Sequence, residues 1–199
     1  RVHPEDLALM QSKLQDHLEG RAPTFESEHR MRHRDRGYRW VLSRGLAVRE
    51  GGGKPYRMVG AQTDTTQRKL AEEQLIHDAL HDALTDLPNR ALFIDRLTHR
   101  IRNSRRQKDR AYAVIFLDLD RFKLVNDSLG HAAGDDAPSQ IAGRLERALR
   151  IENLLARMGG YEYAVLVTNL CDAEISAIGR RLMDAIEEPL LVHEHPVRL

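Results

Sequence analysis

Apolar positions change their period several times along the chain, and each change predicts a new element. Over residues 7–18, Leu7, Leu9, Met10, Leu14 and Leu18 fall near helical spacing and Gly20 follows as a stop, which predicts a short amphipathic helix. From Phe25 the period drops to two. Phe25, Ser27, His29, Met31 and His33 share one face and Glu26, Glu28, Arg30 and Arg32 the other, as in a strand with a solvated side. The turn signals Asp35-Arg36-Gly37 and Gly51-Gly52-Gly53-Lys54-Pro55 delimit two more strands, at residues 38–48 and 56–63. Three neighbouring strands joined by tight turns make an antiparallel meander.

Helical spacing resumes after Asp64-Thr65-Thr66, whose side chains can accept hydrogen bonds from the free N–H groups of a first turn. Residues 67–83 hold no Gly or Pro, and Ala71, Leu75, Ala79 and Ala83 recur every fourth position beside Leu70, Ile76, Leu80 and Leu84. This predicts one continuous linker helix over residues 67–84. Its narrow apolar stripe suits a two-helix seam between subunits or packing on its own domain, and both readings stay open. Leu84-Thr85-Asp86-Leu87-Pro88-Asn89-Arg90 breaks the helix, because Pro88 biases Leu87 away from helical angles.

A second domain, residues 85–199, then alternates helices at 91–105, 134–150 and 173–186 with a buried-type strand at 111–117. A hairpin of residues 154–158 and 161–168 turns at Gly159-Gly160. Pro138 suits its helix only if it lies in the first turn. The fold class expected is α/β (α+β), a sheet covered by helices. The chain is expected to stop within a strand, so that this domain is incomplete.

Composition narrows the partners. Lys plus Arg is 31 against 30 for Asp plus Glu, so no global field favours nucleic acid or an anionic membrane. The basic stretch at 100–110 lacks interleaved aromatics and reads as a solvated helix end and loop. Cys171 is the single cysteine, which excludes an internal disulfide and suits a reducing compartment. No apolar run approaches the roughly 20 residues of a membrane span. A cytoplasmic location is the expectation.

Candidate chemistry gathers at two places. The strand at 111–117 closes on Asp118-Leu119-Asp120-Arg121-Phe122-Lys123-Leu124-Val125-Asn126-Asp127, and the hairpin reads Ala156-Arg157-Met158-Gly159-Gly160-Tyr161-Glu162-Tyr163. A bare Asp-x-Asp at a strand end suits a metal or a helix cap equally, and most Gly-Gly pairs are turns. Together with His81-Asp82-Ala83-Leu84-Thr85-Asp86-Leu87-Pro88-Asn89-Arg90, Gly130-His131 and Gly134-Asp135, however, these motifs resemble the GGDEF domain of bacterial diguanylate cyclases, a nucleotide-cyclase-like palm. Tyr38-Arg39-Trp40, Gly45 and Asp64-Thr65-Thr66 resemble the C-terminal half of a PAS sensor domain, over residues 1–66.

The family condenses two GTP molecules into cyclic di-GMP across a dimer. The resemblance implies that Asp118 binds Mg²⁺ with the backbone carbonyl of Leu119, with Asp120 supporting the strand end. It implies that Arg121 and Phe122 offer N–H groups to phosphates, with Lys123 adding charge, and that Asn126 and Asp135 read the guanine edge. Gly159 and Gly160 let phosphate approach the backbone. The departures carry as much weight. The family has an acid where Tyr161 stands, and a phenol with pKa near ~10 is a poor Mg²⁺ ligand. Glu162 is retained, but adjacent strand residues face opposite sides, so it is not expected to replace that acid. Tyr163 for Phe is a mild change, and Ala137-Pro138 replaces leucines, which loosens that helix. The segment Arg150-Ile151-Glu152-Asn153 matches an inhibitory Arg-x-x-Asp site with the carboxylate changed to an amide, so product feedback is not expected. The implied whole is a GTP-binding regulatory module with little cyclase activity, homodimeric through the linker helix and suited to regulate a following EAL domain. An active cyclase and a nucleotide-free scaffold are the alternatives.

Overall fold

The computed structural model describes residues 1–104, 111–119, 131–168, 172–192 and 195–197. Two compact units share the chain, residues 1–76 and 77–199.

The first unit opens with α1 (Pro4–Leu18). Pro4 starts this helix, where its missing N–H would go unpaired anyway, and His3 caps it by accepting from the N–H of Glu5. The strands β1 (Phe25–Arg32), β2 (Tyr38–Arg49) and β3 (Pro55–Asp64) form an antiparallel sheet in the order β1-β2-β3, within a residue of the meander expected. Period-two patterning holds, since Phe25, Ser27 and His29 are buried. Gly60 sits opposite Gly45, and a Cβ at Gly60 would lie 2.2 Å from the Arg44 carbonyl oxygen, so the strands close here only without a side chain. His17 is buried and uses both ring nitrogens, Nδ1 on the Ala22 carbonyl and Nε2 accepting from the N–H of Ala47, which ties α1 to β2.

Asp6 in the first turn of α1 receives Arg30 through its backbone N–H at 2.8 Å and through Nε and Nη2 at 2.9 and 2.8 Å. These bonds hold the Asp6 carboxyl at about 2 against its burial. A lowered carboxyl pKa stabilises the fold fully above the unfolded value near ~3.9 and ceases to do so as pH falls through the folded one. Asp6→Asn is therefore expected to lower the thermal midpoint of the first unit above pH 4. That deficit should vanish between pH 4 and pH 2 in thermal scans.

Helix α2 (Thr66–Leu80) begins where expected. The Asp64 carboxylate accepts from the N–H of Thr66 at 2.9 Å, and the Thr66 hydroxyl accepts from the N–H of Trp40 at 3.0 Å. Arg68 and Lys69 both pair with Glu28 on β1. Two cations, the Arg30 guanidinium and the Lys69 ammonium, each lie over the Trp40 ring 5.6 Å from its centroid. The helix stops at Leu80 rather than running to residue 84. The loop that follows takes its last carbonyls: the N–H of Asn89 bonds Leu80 and the Asn89 side-chain amide bonds Ala79. The same side chain, through Oδ1, accepts from the N–H groups of Ala91 and Leu92 and so caps the next helix.

The second unit comprises α3 (Arg90–Ser104), β4 (Tyr112–Asp118), α4 (His131–Ala148), β5 (Leu154–Gly159), β6 (Glu162–Thr168), α5 (Asp172–Glu187) and the short hairpin of β7 (Leu190–Val192) and β8 (His195–Val197). Strands β4, β6 and β5 pair antiparallel in that order. Both sheet faces are covered. Ile141, Leu145, Ile178 and Leu182 from α4 and α5 pack with Leu117, Tyr163, Val165 and Val167, whereas Phe93 of α3 packs on Ala156, Ala164 and Leu166. That explains the unbroken apolar run of β6. One expectation fails here: Pro138 lies inside α4, past its first turn.

Candidate functional site

Strand register decides which acids meet. Antiparallel pairing sets Asp118 directly across from Glu162 and Leu117 across from Tyr163. Directly opposed residues share a face with Cβ atoms ~5 Å apart. Asp118 and Glu162, both exposed, therefore stand together at the end of β4. Tyr161 occupies the turn just before β6. Its ring is partly buried and packs against the core cluster that includes Leu117, Leu119 and Tyr163. Leu119 itself is buried.

The turn depends on its glycines: Gly159 and Gly160 have φ of 141° and 51°, in the region that side chains avoid. Arg157 clamps this turn, with Nε and Nη2 donating to the Gly160 carbonyl oxygen at 2.9 and 2.7 Å. Its Nη1 donates at 2.7 Å to Asp82, which also accepts from the N–H and hydroxyl of Thr85. Burial pushes the Asp82 carboxyl up, but the bonds from Arg157 and Thr85 outweigh it and hold the carboxyl below its ordinary range. The loop after α2 is thereby bolted to the hairpin. Neither Arg157 nor Asp82 had a role assigned from sequence; they are 75 positions apart, and no local spacing announces the pair.

Tyr163 is fully buried, and its hydroxyl donates to the Pro138 carbonyl oxygen at 3.0 Å. Burial pushes its phenol up to about 12, so it remains a donor at any working pH. On the opposite side of the unit, a cavity of about 370 Å³ is lined by Arg150, Glu152, Asn153, Thr168, Glu174 and Arg181. There Arg150 pairs with Glu174 at 3.7 Å.

Asp120, Arg121, Phe122, Lys123 and Asn126 lie outside the described residues, and of Asp135 the backbone alone is described, within α4. Among the described residues no cluster of three or more His, Cys, Asp or Glu is arranged around a metal. Two carboxylates on one face nevertheless fit Mg²⁺, which takes one or two protein carboxylates and completes its shell with phosphate and water.

Residues 79–199 match a family model described as diguanylate cyclase, GGDEF domain. The chain belongs to the GGDEF family. Residues 1–62 match a model of the PAS fold, in keeping with the sensor-like meander. Diguanylate cyclase TpbB of Pseudomonas aeruginosa is 38% identical over 153 residues, covering 75% of this chain and 35% of that protein. A bifunctional diguanylate cyclase/cyclic di-GMP phosphodiesterase, MucR, of the same organism is 40% identical over 134 residues, or 67% of this GGDEF chain and 19% of its own length. The chain thus spans about a third or less of these two relatives. Among solved structures, the isolated GGDEF domain of TpbB superposes with a TM-score of 0.56 at 40% identity, covering 59% of this chain and 69% of that one. Diguanylate cyclase SiaD, solved with its activator SiaC, gives 0.58 at 29% identity over 66% and 51%. Among the described residues no helix is long and apolar enough to cross a membrane.

Proposed function

We propose that this chain is a PAS-linked GGDEF module of bacterial cyclic di-GMP signalling that holds GTP with Mg²⁺ but turns it over slowly, and so acts as a regulatory domain. The observation that carries this reading is the division of labour in the hairpin: Asp118 and Glu162 oppose each other across two strands, while Tyr161 fills the family's acid position with a ring drawn into the core. Asp118 and Glu162 would hold the ion, which when bound neutralises triphosphate charge. The Gly159-Gly160 turn, held in place by Arg157, carries no side chain to keep phosphate from the backbone. What the site lacks is a further anionic group at residue 161 to organise the attacking hydroxyl, since a neutral phenol supplies neither charge nor a strong base.

The exposed apolar side chains of α2, Leu70, Leu75 and Ile76, support pairing of two copies through this helix. Cytoplasmic location and regulation of a following EAL domain belong to the same proposal. One observation favours the second reading, a working cyclase: Glu162 is close enough to Asp118 in register to supply part of the missing charge. Titration calorimetry with GTP and Mg²⁺, alongside turnover assays, separates the readings. Saturable binding without turnover is expected, and Asp118→Asn should weaken it at least ~10-fold, as loss of a metal ligand does. Sustained turnover would establish the cyclase, and no binding at all would leave a scaffold.

A further inference from the structure

Two departures from the family pattern, Tyr163 on β6 and Pro138 in α4, meet in one buried hydrogen bond. A proline inside a helix removes the donor for the carbonyl four residues earlier, here Gly134, and crowds that turn with its ring. The first turns of α4 are therefore tied less firmly to the remainder of the helix. The hydroxyl of Tyr163 reaches the same place from the sheet, and the Pro138 oxygen has two lone pairs, one for its own helix and one for this bond. The neighbouring Ser139 hydroxyl donates to the Leu84 carbonyl at 2.9 Å. Helix α4 is thus fastened at adjacent residues to two separate elements, β6 and the loop after α2. A phenylalanine would fill the same space without the bond, so the hydroxyl serves direction rather than packing.

We infer that Tyr163 is a positioning residue: by fastening α4 at Pro138 to β6, next to Glu162, it sets where the turn bearing Asp135 stands relative to the phosphate hairpin, and hence how well guanine is selected. This rests on the GTP-binding reading above. The two substitutions form one device, in which the hydroxyl offsets what the proline loosens.

A double-mutant cycle on the full protein tests it, with GTP and its analogue lacking the exocyclic amine, ITP, as probes. Tyr163→Phe is expected to weaken GTP binding by up to about fivefold, the most that one buried neutral hydrogen bond contributes to holding the turn, and to weaken binding of ITP, which keeps the ring N–H but lacks the amine, less. In a Pro138→Ala background, where the helix regains its N–H, the same change should cost less than about twofold. Equal losses for both nucleotides, or the same loss in both backgrounds, would overturn the inference. If the unaltered protein binds no GTP, the functional reading fails by itself. Amide exchange over residues 131–137 then decides the fastening: acceleration by Tyr163→Phe only when Pro138 is present supports it, and unchanged exchange refutes it.

Discussion

Tyr161→Asp is expected to raise Mg²⁺-dependent GTP turnover by ~10- to 100-fold over the unaltered chain, the range that separates metal sites with and without a supporting ligand. The change is local. Residue 161 lies in the turn, before the alternation of β6 begins, so a short carboxylate there is not bound to the core side as a strand residue would be. What holds the present side chain inward is the apolar ring, which packs against the cluster around Leu117 and Tyr163. A charged group has the opposite preference and would leave that cluster for the exposed face where Asp118 and Glu162 stand. Activity should rise even though stability falls by ~1 kcal/mol or more from lost packing. Turnover that stays at background, with GTP binding intact, would show that the deficit lies elsewhere than residue 161.

Arg157→Ala carries the largest expected loss of stability, about 2–3 kcal/mol in urea unfolding of the second unit. Removing one partner of a fully buried ion pair costs ~3–5 kcal/mol. Arg157 is 10% exposed but Asp82 is 24% exposed, so solvent recovers part of that. The loss includes the two bonds to Gly160 and leaves the Asp82 carboxylate with Thr85 alone. Because Asp82 sits below its ordinary range, the pair stabilises above the unfolded carboxyl value and weakens as pH falls through the folded one. The gap between variant and parent should therefore narrow in acid. A cost under ~0.5 kcal/mol at pH 7 would place the clamp among ordinary surface pairs.

Much of the fold was legible because its strands obey a two-residue period and its turns carry Gly, Asp and Pro. Each meander strand lies within a residue of its expected bounds. The end of α2 was not, since nothing local distinguishes His81 and Asp82 from helix; the loop's own hydrogen bonds to Ala79 and Leu80, made through Asn89, stop it. Pro138 was misplaced for a related reason. Local rules exclude proline from a helix interior, and the bond made to its carbonyl from outside the helix comes from a hydroxyl 25 residues away. At the site, Tyr161 lies in the turn and Glu162 opens β6, and which residue faces Asp118 depends on the β4–β6 register, which is a property of two strands. The Asp82–Arg157 clamp lies beyond local reading for the same reason.

Trp40 is the chain's single tryptophan, and cations from β1 and from the first turns of α2 lie over its indole. Tryptophan fluorescence of this protein, excited apart from its five tyrosines, consequently comes from one spot, where the first turns of α2 meet the PAS-like sheet. Detachment of that helix would alter tryptophan emission and quenching without any label, while the second unit contributes no tryptophan signal of its own. The molecule carries its own optical gauge at the joint through which a sensor's signal would pass.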